Sequence, residues 1–61
     1  MGRYVVFRIT EGSPVKEPVA DFNTVEEAER FLENYRWSAM VIDMETYDPV
    51  LVKIDGKIMR T

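Results

Sequence analysis

Thr24-Val25-Glu26-Glu27-Ala28-Glu29-Arg30-Phe31-Leu32-Glu33-Asn34-Tyr35 is the stretch whose reading decides the fold. Val25, Ala28, Phe31, Leu32 and Tyr35 recur at steps of three and four and so form one apolar stripe of an α-helix. Glu26, Glu27, Glu29, Arg30 and Glu33 fill the opposite side. Thr24 and Glu27 have the spacing of a capping box, in which each side chain satisfies a backbone N–H at the helix start. The early glutamates suit the positive end of the helix dipole, and Arg36 suits the negative end. The spacing predicts one helix over about 24–36.

Outward from this helix, nearly everything reads as strand. Tyr4 to Thr10 is rich in β-branched and aromatic residues and free of Gly and Pro. Its alternation sets Val5, Phe7 and Ile9 on one face and Tyr4, Val6, Arg8 and Thr10 on the other. The first set is assigned to the core under the helix. Glu11-Gly12-Ser13-Pro14 reads as a turn. Residues 15–22 are a second strand or an extended connection, and Pro14 and Pro18 confine any strand there to an edge. Beyond the helix, Ala39 to Met44 is a strand with Met40, Ile42 and Met44 expected inward. Glu45 to Pro49 is a loop, and Val50 to Ile54 is a further strand. Asp55-Gly56 is a hairpin signal, and Lys57 to Arg60 returns as the last strand. A two-residue turn sets Ile54 opposite Lys57 and Val52 opposite Met59. A three-residue loop sets Ile54 opposite Ile58 and Val52 opposite Arg60.

The fold class that follows is α+β. It is a two-layer sandwich with one helix on a mainly antiparallel sheet of three to five strands, in the order β-(β)-α-β-β-β. Such a sheet has only one face covered, and the other must meet water, a partner or a ligand.

The chain has 61 residues, 46% hydrophobic and 31% charged, which is one domain spanning 1–61. A domain of this size buries about 60% of its unfolded surface. The sequence holds no cysteine and no histidine, so disulfides and the usual zinc and copper ligand sets are excluded. Self-association is then the remaining staple for a small core. The N-terminal residues lack a signal-peptide apolar run, and no stretch has the length of a membrane span. A soluble cytoplasmic protein without membrane partners is expected. The net charge of −3 disfavours general nucleic-acid binding, which needs a basic surface.

A catalytic reading lacks parts, so no enzyme and no cofactor are expected. Ser13 and Ser38 have no activating partner nearby in sequence, and the glycines are isolated. Asp43, Glu45 and Asp48 form a loose acidic cluster, but it lacks the glycine and terminal glutamate of a calcium loop, and no metal is expected. Trp37 is expected to close the core edge.

Function is expected in protein interaction. Tyr4 and Val6 on the outer face, joined under the two-residue turn by Leu51 and Ile58, would form an apolar patch, with Arg8, Lys53 and Arg60 at its rim. A homodimer or another protein would cover this face or extend the sheet at an edge. One alternative is nucleic acid held by Tyr4, Arg8, Lys53 and Arg60 on the open sheet. Another is an acidic inhibitor that mimics nucleic acid through Glu26, Glu29 and Glu33.

Overall fold

The computed structural model describes residues 2–10, 12 and 17–61. Five strands and one helix follow in the order β1 (Tyr4–Arg8), β2 (Glu17–Phe22), α1 (Val25–Glu33), β3 (Ala39–Asp43), β4 (Asp48–Ile54) and β5 (Lys57–Arg60). The expected turn at Glu11 to Pro14, apart from Gly12, and the start of the 15–22 segment lie outside the described residues. The sheet order is β2-β1-β3-β4-β5, and every neighbouring pair is antiparallel. β2 and β3 therefore run in the same direction on either side of β1, and α1 is the crossover between them. The fold is α+β, with one helix on one face of one sheet.

α1 is shorter than the predicted 24–36. Thr24 is its N-cap: the Glu27 N–H donates to Thr24 Oγ1 at 3.2 Å, and the Thr24 hydroxyl donates to the Glu27 carboxylate at 3.0 Å. At the other end the Asn34 and Tyr35 N–H groups donate to Phe31 and Leu32 carbonyls three residues back, at 3.2 and 3.1 Å. That tightened last turn ends the helix before Arg36. The stripe lies as its spacing predicts. Ala28 and Leu32 are fully buried, and Val25, Phe31 and Tyr35 pack around them.

The face of the sheet beneath α1 is the reverse of the expectation. Val6, Ala39, Val41 and Leu51 are 0% exposed and form the core with Ala28 and Leu32. Val5, Phe7, Met40 and Ile42 are on the uncovered side. The strand residues therefore sort into two sets as alternation requires, but α1 covers the other set. Both sets are apolar enough to serve, and alternation alone does not say which one a helix will meet. A bulge beside Val41 and Ile42 lets Leu51 stay in the core while Val50 also packs against it.

The hairpin takes its two-residue form. Ile54 pairs with Lys57 and Val52 with Met59. Asp55 has φ 51° and Gly56 φ 82°, both positive as a type I′ turn demands. Gly56→Val is expected to destabilise the fold by about 1–3 kcal/mol, because a β-branched residue is strained at positive φ. Gly56→Asn should cost much less. The urea midpoints of the two variants check this, and equal midpoints would contradict it.

Candidate interaction face

The registers line the residues up in rows across the sheet. On the helix side, Arg8 lies in a row with Glu17, Ala39, Lys53 and Ile58, and Val6 in a row with Ala20, Val41, Leu51 and Arg60. Tyr4 lies in a row with Phe22, Asp43 and Asp48. The expected contact residues Tyr4, Val6, Arg8, Leu51, Lys53, Ile58 and Arg60 do share one face, and it is the face under the helix. Val6 and Leu51 are wholly buried and Lys53 is 7% exposed. Tyr4 and Ile58 pack against the core. These residues stabilise the fold and do not form an open patch.

Lys53, Arg60 and Arg8 of that face have structural partners. Lys53 Nζ donates to the backbone carbonyls of Leu32 and Tyr35. A cation from β4 thereby supplies the hydrogen bonds that the helix C-terminus lacks and matches its negative dipole end. Sequence spacing gave that role to Arg36, which is exposed and lies 5.3 Å from the Trp37 ring centroid. Arg60 pairs with Glu29 of α1 at 3.0 Å. The Arg8 guanidinium lies 4.6 Å from the Trp37 ring centroid, and its buried Nε has no hydrogen-bond partner. The ring face offers it a cation–π contact. Trp37 itself is 45% exposed and meets Tyr35 edge-on at 5.6 Å. It stands at the rim, where Arg8, Arg36 and Tyr35 hold it, and does not close the core as expected.

Asp43 and Glu45 of the acidic cluster are drawn to Arg3. Arg3 makes a two-pronged contact with Asp43, Nε to Oδ1 at 2.9 Å and Nη2 to Oδ2 at 2.8 Å, and its Nε lies 3.1 Å from Glu45 Oε2. The Glu45 N–H donates to Asp43 Oδ1 at 2.9 Å. These bonds hold the Asp43 carboxyl below the usual carboxylate range, the Arg3 hydrogen bond being the largest cause. A carboxyl depressed in the folded state contributes stability that is present above its ordinary value of about 4 and is lost as pH falls from there towards the folded-state value. Asp43→Asn is expected to lower the melting temperature at neutral pH and to flatten its decline on acidification. Parallel acid curves for the two proteins would contradict the assignment.

The uncovered face has the opposite character. Phe7 lies in a row with Pro18, Met40, Val52 and Met59, and Val5 in a row with Asp21, Ile42 and Pro49. Ile54 and Lys57 complete it beside Met59. Ile9 continues β1, its N–H donating to the Ser38 carbonyl at 3.0 Å, and shares a shallow hollow of about 310 Å³ with Ser38, Ile54 and Asp55. A second hollow of about 330 Å³ is lined by Val5 and the β2 residues Pro18 to Asp21. Ile54 and Met59 are about half exposed, Pro18, Asp21, Pro49 and Lys57 are exposed, and Val5, Phe7, Ile9, Met40, Ile42 and Val52 are half-buried, shielded by their neighbours in the sheet. Of the charged strand residues, only Asp21 and Lys57 are on this face.

No protein-family model, curated protein or solved structure matches the chain. The reading of this face therefore rests on its own chemistry. Among the described residues, no helix is long and apolar enough to cross a membrane.

The covered face of the sheet also carries charge. Arg8, Asp43, Lys53 and Arg60 share the parity of Val6, Val41 and Leu51. The nine-residue helix is about 13 Å long and reaches β1, β2, β4 and β5. Positions of the covered face beyond its footprint can carry charge, and long basic side chains there reach back to the helix.

Proposed function

We propose that this chain is a non-enzymatic protein-interaction module whose contact surface is the open face of its sheet. The observation that carries this reading is the partition of charge. Arg8, Glu17, Asp43, Asp48, Lys53 and Arg60 face the helix side, while the uncovered side carries Val5, Phe7, Met40, Ile42, Val52 and Met59. A sheet face evolved for water reverses that distribution. Five strands about 4.8 Å apart and about 17 Å long present on the order of 400 Å² in projection. That is the size at which an apolar patch on a small protein marks an interaction site.

The edges of the sheet are poorer contact surfaces. β2 carries Pro18, a bulge beside Val6 and Phe7, and the charges of Glu17 and Asp21. β5 is four residues long and carries Lys57 and Arg60. Proline, bulges, short strands and charge are the devices that keep a further strand from pairing. With edges protected and the face bare, the face is the surface to which a partner is fitted.

A photo-crosslinking residue in place of Met59, with a control in place of Glu33 on the solvent side of α1, tests the reading in cells that produce the protein. Protein adducts are expected from position 59 and not from position 33, and Ile54→Glu should abolish them. Adducts from position 33 alone would overturn the proposal.

A further inference from the structure

We infer that the protein covering the open face is a second copy of this chain, packed face to face about a two-fold axis. This rests on the open face being the contact surface. The two charged strand residues of that face are opposite in sign and occupy opposite corners, with Asp55 of the hairpin turn lining the hollow beside Ile54. Asp21 is on edge strand β2, in the row of Val5, and Lys57 is on edge strand β5, beyond the row of Phe7 and Met59. Four strand spacings separate them, about 19 Å, so they do not meet within one chain. A two-fold axis lying in the interface and exchanging the corners sets each Asp21 against the partner copy's Lys57, so that one complementary pair becomes two ion pairs. A surface that complements itself in this way is what a two-fold interface requires.

The groups are free for that role. Lys57 is exposed and takes part in none of the ion pairs among the described residues. The Asp21 carboxylate accepts the Gly2 N–H, which holds it in place, and no cation pairs with it among the described residues. Between the corners the rows are apolar. The area also suits. Two faces of about 400 Å² in projection, enlarged by side-chain relief, bury on the order of 1,000 Å² in all, the lower bound for a specific interface. Association in this way covers the apolar surface that one helix leaves bare, in a chain without disulfides.

Sedimentation equilibrium of the full chain and four variants tests the pairing. The wild type is expected to dimerise between micromolar and millimolar concentration, and Met59→Glu to stay monomeric. Lys57→Glu and Asp21→Lys should each weaken the homodimer about tenfold or more, since rim charges are individually weak and the two-fold doubles each change. An equimolar mixture of those two single variants, and the double variant carrying both, should regain wild-type affinity. A monomeric wild type overturns the second copy as partner. Adducts with foreign proteins from position 59 would then leave the contact face standing. A dimer indifferent to Met59→Glu overturns both. A dimer that Met59→Glu breaks, but that neither the mixture nor the double variant restores, overturns the two-fold arrangement.

Discussion

Val6→Glu is expected to abolish folding. Val6 is 0% exposed, lies between Ala20 and Val41 in its row, and packs in the same cluster as Leu51, Ala28 and Leu32. A carboxylate at this position has no cation assigned to it and loses its water, a cost of several kcal/mol. A domain of this length has roughly 3–5 kcal/mol of stability in total, so the variant should show no cooperative thermal transition by circular dichroism. Met59→Glu is the matched control: the same charge on the uncovered face should leave a folded monomer. A Val6→Glu protein that folds and merely dissociates would place Val6 on the contact face and invert the whole account.

Leu32→Ala is expected to have the next largest effect. Leu32 and Leu51 are the largest fully buried side chains among the described residues, and truncating a buried leucine costs about 2–5 kcal/mol. Leu32 supplies one of the carbonyls that Lys53 caps, so loosening the last turn also disturbs that contact. Phe31→Ala should cost less. Its ring lies 5.5 Å from Phe22 and 5.1 Å from Tyr35 but is only half-buried, facing a groove of about 400 Å³ lined also by Arg30 and Asn34. Urea unfolding of the two variants ranks them. A lower midpoint for Phe31→Ala than for Leu32→Ala would contradict the assignment of the core centre.

The helix and the hairpin were legible in the sequence because local chemistry specifies them. The stripe from Val25 to Tyr35, the cap at Thr24 and the pair Asp55-Gly56 each work within a few residues, and the structure holds them as expected. The grouping of strand residues by parity was legible too, because a strand has a period of two. Which group faces the helix was not. Val5, Phe7 and Ile9 look more like a core than Tyr4, Val6 and Arg8 do. That comparison fails in a two-layer protein whose second face is also apolar. The helix chose the set that holds Ala39, Val41 and Leu51, with room for Ala28 to approach and with Lys53 in place to cap its end. Lys53 illustrates the general difficulty. Read locally it is an exposed strand lysine, and its partners are 21 and 18 residues away. The open face was therefore expected to hold Tyr4, Val6, Leu51 and Ile58, and the structure places these residues under the helix.

The order of Val5 and Val6 is the point on which everything else turns, and the chain's lack of cysteine makes it directly measurable. Single Val5→Cys and Val6→Cys variants, kept dilute and folded, are to be treated with a maleimide and the labelling rates compared. The thiol at position 5 is expected to react readily, and to become protected as protein concentration rises and the face is covered. The thiol at position 6 should react only when the protein is unfolded. Ready labelling at position 6 with protection at position 5 in the dilute protein would contradict the structure and the function proposed from it.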